Sequence, residues 1–197
     1  MKVFSLDRQY YSKQGLWSLF LMCAFPLHLW TIILAFRDFS WLIERSNLWD
    51  AISVISYGLI FALTESVMVF LVAALLGPLV PNYWGHDRRV TVISTLVFGA
   101  ALWAMISQLY WLVGISIPEF LLRLLIDAQH PVRFMYAGAL AAVLLTVMLP
   151  TYLILRSDNF FRFVQRLIDR FSLLMTFYLV FDFAGLIIVI IRNINGR

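Results

Sequence analysis

Charge is scarce in this chain. Aspartate, glutamate, lysine and arginine make up 13% of its 197 residues, against 62% for the apolar types. Water-soluble domains are about a quarter charged and about half apolar, so a core closed against water is excluded and the excess calls for lipid as solvent. Mean hydropathy is +0.88. Lysine is nearly missing: Lys2 and Lys13 are the only two, and both precede the first apolar block. A retinal-type Schiff base, which needs an amine inside the bundle, is excluded with them. Cysteine occurs once, as Cys23, so no disulfide forms within the chain and nothing follows about redox compartment. The residues before it, Phe20-Leu21-Met22, lack the small side chain of a lipoprotein-processing site. Cys23 reads as a buried spectator thiol.

Motifs of dedicated chemistry are absent too. No HExxH or paired-histidine pattern offers a metal site, and no glycine-rich phosphate loop or dinucleotide fingerprint is present. Gly114-Ile115-Ser116 lacks the G-x-S-x-G context of a serine nucleophile. A b-type haem wants two histidines within the membrane, whereas His86 and His130 fall in loops. Nothing resembles a DNA- or RNA-binding signature. No cofactor, metal or nucleic-acid partner is therefore expected, and no catalytic residue is assigned. Internal repeats and low-complexity tracts are also missing.

What is present is long apolar runs. Five blocks lie at about 15–36, 51–77, 90–115, 132–155 and 171–191. Each reaches the roughly 20 residues that a helix needs to cross hydrocarbon. The first is too long for a cleaved signal peptide, and Ile33-Leu34-Ala35-Phe36-Arg37 offers no small-residue cleavage site, so it is expected to stay as a span. The expected fold is all-α and integral to the membrane: one domain, a five-transmembrane-helix bundle with short loops and one or two interfacial amphipathic helices.

Punctuation supports these bounds. Gly77-Pro78 and Pro81 stop the second block, Pro118 follows the third and Pro131 opens the fourth. Aromatic rings suited to headgroup level cluster at the block ends: Tyr10, Tyr11 and Trp17; Trp41 and Trp49; Tyr83 and Trp84; Tyr110 and Trp111. Two connecting segments are amphipathic. In 118–128, Glu119, Arg123 and Asp127 recur every four residues opposite Phe120, Leu121, Leu124 and Leu125. In 158–170, Arg162, Arg166 and Arg170 do the same opposite Phe161, Val164, Leu167 and Ile168, with Asp158 as the expected N-cap. The second segment reads either as an interfacial helix or as the first turns of a long fifth helix.

Basic residues set the expected orientation. Lys2, Arg8, Lys13, Arg88, Arg89, Arg156, Arg162, Arg166 and Arg170 fall on one side; Arg37, Arg45, Arg123, Arg133, Arg192 and Arg197 fall on the other. The bias places the N-terminus in the cytoplasm and the C-terminus outside, and a bacterial plasma membrane suits the compact chain. An odd number of spans weighs against a simple inverted-repeat transporter.

Lipid alone does not explain three ionisable residues near mid-block: His28, Glu65 and Asp182. A charge there costs from a few to over ten kcal/mol by different measures, so each group must face protein or water, or be neutral. No arginine or lysine lies as deep, which leaves His28 as the one basic partner. Gly58, Ala62 and Ala73 share a helical face with Glu65, which favours burial of that residue against another helix. Tyr178 and Gly185 lie one turn either side of Asp182, as a hydrogen-bond partner and a close-contact point. Gln108 in the third block is a further intramembrane polar candidate, Pro26 is placed to kink the helix beside His28, and Ala137, Gly138, Ala141 and Ala142 form a small-residue face on the fourth block. The plain structural reading of these polar groups is that they hydrogen-bond between helices and fix packing.

Lipid headgroups are expected at His86, Arg88 and Arg89 in the polar loop 81–89, and at Arg162, Arg166 and Arg170; topology-setting arginines are the plainer reading. The leading functional expectation is a non-catalytic accessory or scaffold subunit that packs against membrane lipids, other subunits or a second copy of itself. The alternatives are a small transporter or proton-coupled permeation unit using His28, Glu65 and Asp182, and, last, a lipid-processing enzyme.

Overall fold

In the computed structural model the chain is an all-helical bundle with five helices long and apolar enough to span a membrane. The structure describes residues 11–114, 118–126 and 130–195. Lys2, Arg8, Tyr10, Ser116, Asp127 and Arg197, on which the sequence reading drew, lie outside them. The helices are α1 (Lys13–Arg45), α2 (Leu48–Leu75), α3 (His86–Val113), the short α4 (Glu119–Ile126), α5 (Pro131–Arg156) and α6 (Asp158–Asn195). Two 3₁₀ turns, Gly77–Leu79 and Asn82–Trp84, join α2 to α3.

Local chemistry explains the ends. The Ser12 hydroxyl accepts from the Gly15 amide at 2.9 Å, and the Asn47 carbonyl accepts from the Asp50 amide at 2.8 Å, so α1 and α2 start on ordinary polar caps. The start of α3 needs Gly85 at φ 74°, and its end needs Gly114 at φ 64°, a backbone region that other residues avoid. Pro131 opens α5, where a missing amide costs nothing. At α6 the cap is Ser157, whose hydroxyl accepts from the Phe160 amide at 3.3 Å. Asp158, the expected cap, is the first residue of the helix and pairs with Arg88.

Two helices outrun their apolar blocks. The span expected to end near Phe36 continues to Arg45, so the loop anticipated there shrinks to Ser46 and Asn47. Nothing between Arg37 and Arg45 breaks a helix. At 1.5 Å per residue α1 is about 50 Å long and α6 about 57 Å, both well beyond a 30 Å hydrocarbon layer. The amphipathic segment 158–170 is the leading part of α6, with Ile168 buried against the bundle.

Helix α1 is central. It packs on α2, α3 and α6, and Leu19 together with Leu21 to Pro26 is buried almost all round. Leu21, Ala24 and Phe25 pack with Met175 of α6, and the Phe25 and Phe171 rings stack at 4.6 Å. Pro26 sits inside α1 and gives no amide to the Met22 carbonyl. Helix α5 is peripheral: it meets α3 where Gly99 admits Val147 and where the Trp103 indole donates to the Thr146 hydroxyl at 2.8 Å. Its small-residue face, Ala137, Gly138, Ala141 and Ala142, is exposed.

At the end of the bundle carrying Lys13, Tyr11 is buried against Gly77 and donates its hydroxyl to the Ala74 carbonyl at 3.1 Å. Burial pushes its pKa up to about 12 against the pull of Arg89, so it remains a donor at neutral pH. A Cβ on Gly77 would stand 2.1 Å from that hydroxyl oxygen. Gly77→Ala should therefore expel Tyr11 and cost about 1–3 kcal/mol, a loss of overpacking size. Thermal unfolding in mild detergent checks this; an unchanged midpoint would mean that the Tyr11 niche does not hold this end together.

Candidate functional site

Helix α6 faces the bundle through residues seven apart: Ile168, Met175 and Asp182 are all buried. The third of these apolar positions is thus occupied by a carboxylic acid, where α6 packs on α1 and α2. Opposite it on α1 stands His28, fully buried, while Asp182 is 3% exposed. The His28 Nε2 lies 2.9 Å from one Asp182 carboxyl oxygen and 3.1 Å from the other. Its Nδ1 lies 2.9 Å from the Ala24 carbonyl oxygen one turn earlier.

These distances fix the proton arrangement. A carbonyl oxygen only accepts, so Nδ1 carries a hydrogen and donates it to Ala24. The short contact between Nε2 and the carboxyl then requires one further proton between them. Either imidazolium faces carboxylate, or neutral imidazole accepts from a carboxylic acid. Both forms have no net charge, which is how two ionisable groups lie together inside an apolar bundle.

The neighbourhood admits this pair through small residues. A Cβ on Gly185 would lie 3.5 Å from the Ser56 carbonyl oxygen, so α2 and α6 are in backbone contact one turn beyond Asp182. The buried hydroxyls of Ser53 and Ser56 donate back to Trp49 and Ile52 on their own helix, at 2.7 and 2.8 Å. They bring polarity near the pair without an orphaned donor. Asp182 takes His28 as its partner in place of Tyr178, the one anticipated from its own helix.

Glu65 does not join them. Gly58 meets Thr31 and Ser56 meets Gly185, so the pair is level with about 59–61 of α2. Glu65 lies about one turn nearer the Lys13 end and is exposed on the outer face. Its expected burial is corrected: Ala62 and Ala73 do face inward, but Ser66 takes the place between them and donates to the Ala62 carbonyl. One residue of rotation separates the buried serine from the exposed acid. Gln108 is likewise exposed on α3, with no hydrogen-bond partner among the described residues.

The polar loop ends differ among themselves. Arg89 is 2% exposed and reaches the Pro81 carbonyl at 3.4 Å, so it is turned inward. Arg88 pairs with Asp158 and lies over the Phe161 ring at 5.2 Å, which joins the start of α3 to the start of α6. His86 is exposed at the helix start. Arg162 and Arg166 border a polar cleft of about 480 Å³ together with Asn159, Gln165 and Asp169, while Arg170 is exposed and off its lining. Gln165 and Asp169 escaped the sequence reading, although their spacing of three and seven from Arg162 places them on its face. At the opposite end Arg192 lies 2.9 Å from Asp50, and the Tyr57 hydroxyl donates to Asn193 at 3.1 Å. Among the described residues no three histidine, cysteine or acidic side chains come together as metal ligands.

No protein-family model, curated protein or solved structure matches this chain. It is a helical membrane-spanning protein whose role must be argued from its own residues.

Proposed function

We propose that this chain is a non-catalytic accessory subunit of a membrane complex, and that it docks a partner helix along the outer face of α2. The exposed acid at Glu65 is the observation that carries this reading. It belongs to a stripe of Phe61, Glu65, Met68, Val72 and Leu75, separated alternately by four and three residues. The four apolar members are 62–74% exposed. That spacing averages 3.5 and describes a seam for a second helix wound in the left-handed sense, with one polar residue to set the register.

The chemistry of the occupant follows from Glu65. Two copies meeting along this seam about a twofold axis would oppose carboxyl to carboxyl, and among the described residues no exposed basic side chain lies at that depth. A transmembrane helix of another subunit, bearing a hydrogen-bond donor or a basic group at mid-depth, satisfies the acid without repulsion. The His28–Asp182 pair then acts as an internal fastener. A permeation role would require water at the pair, but His28 is fully buried, and neither polar cleft has it or Asp182 in its lining.

A photo-crosslinking side chain placed at Met68 or Val72 tests the reading in native membranes. One partner subunit should be captured from both positions, not from Leu140 on α5, and Glu65→Leu should abolish the capture. Crosslinks to lipid alone, or to a second copy of this chain, would overturn it.

A further inference from the structure

Two clefts at the Lys13 end share Gln165 and Asp169 and so form one polar trough along the first turns of α6. The larger, about 480 Å³, has Arg162 and Arg166 on its wall; the smaller, about 180 Å³, runs to Asp87 and Thr91 of α3 and to Ser18 of α1. We propose that this trough binds a phosphoethanolamine group, with its phosphate on Arg162 and Arg166 and its primary ammonium between Asp169 and Asp87.

Both signs of charge are available. The Nε of Arg162 and that of Arg166 donate to backbone carbonyls one turn earlier, at 3.4 and 3.3 Å, which holds the side chains along the helix. No ion pair engages either guanidinium, Asp87 or Asp169 among the described residues. Arg166 and Asp169 are three residues apart on one face, about 4.5 Å along the axis. A two-carbon link between phosphate and ammonium spans such a step. Guanidinium matches phosphate oxygens, and a carboxylate accepts from an N–H of the ammonium.

The placement also suits a lipid. The trough has buried Val90 and Ile168 in its lining and lies on the first turns of α6, whose later turns are apolar. Choline lacks an N–H for Asp169, and glycerol headgroups lack the cation altogether. Phosphatidylethanolamine therefore satisfies both halves of the trough, whereas phosphatidylcholine and phosphatidylglycerol each satisfy one.

Native mass spectrometry of the whole chain with the three lipids at equal concentration is the test. One phosphatidylethanolamine should be retained with about tenfold preference over phosphatidylcholine. Asp169→Asn should remove that preference while leaving phosphatidylglycerol binding intact, and Arg166→Gln should weaken both anionic and zwitterionic lipids. Free phosphoethanolamine forms a second arm: if it binds while the lipid does not, the same site serves a water-soluble ligand. Equal retention of the three lipids with no binding of free phosphoethanolamine would overturn the proposal. So would an Asp169→Asn variant that folds normally and keeps the preference.

Discussion

Replacing Asp182 by alanine should destabilise the bundle by about 3 kcal/mol, the size of breaking one side of a buried pair. The substitution leaves Nε2 of His28 fully buried with no partner, and it opens space where α6 meets α1. Intramembrane polar contacts average only about 0.6 kcal/mol in comparable bundles, because the unfolded chain in lipid finds other partners. The larger figure is expected here because both oxygens lie within hydrogen-bonding range of one nitrogen and water is excluded. Asp182→Asn should be far milder, since its amide can donate to the unprotonated Nε2. The double variant His28→Leu/Asp182→Leu should recover most of the loss, as apolar pairs of similar volume replace buried ion pairs without penalty. Unfolding in a graded denaturing detergent gives the double-mutant cycle. Additive single effects would show that the two side chains do not act as a pair.

Glu65→Leu should have the opposite sign in the isolated chain. An acidic residue at the centre of a span opposes insertion by roughly 2.5–3.5 kcal/mol, and leucine favours it. Because Glu65 faces outward, no internal hydrogen bond is lost. Insertion of α2, read by glycosylation mapping, should rise, and the purified subunit should be at least as stable as the parent. The complex should nevertheless dissociate, because the polar register point of the seam is gone. A Glu65→Leu chain that unfolds more easily when alone would mean that the acid serves the bundle and not a partner.

The number of spans was legible in the sequence because apolar runs of this length are stable in lipid as helices. The meeting of His28 with Asp182 could be suspected, since no other base lies as deep. The outward turn of Glu65 could not be read. Ser66 and Glu65 are adjacent, and helical periodicity places either of them beside Ala62 and Ala73. In the fold serine takes the inner place and returns its hydroxyl to the Ala62 carbonyl within the width of the contact, while Glu65 stays outside. The extension of α1 to Arg45 was missed for a related reason. Hydropathy falls at Arg37, but helix propensity does not, and a helix ends where its backbone must turn and not where it leaves hydrocarbon.

The partners of the buried pair are 154 residues apart in the chain. During synthesis α1 enters the membrane long before α6 exists, so the His28 Nε2 waits there without its acid. Helix α6 carries the group that completes the site. Until α6 inserts, the central helix therefore displays one unsatisfied polar group, the His28 Nε2, among apolar neighbours. Insertion of α6 and concealment of that group are the same event.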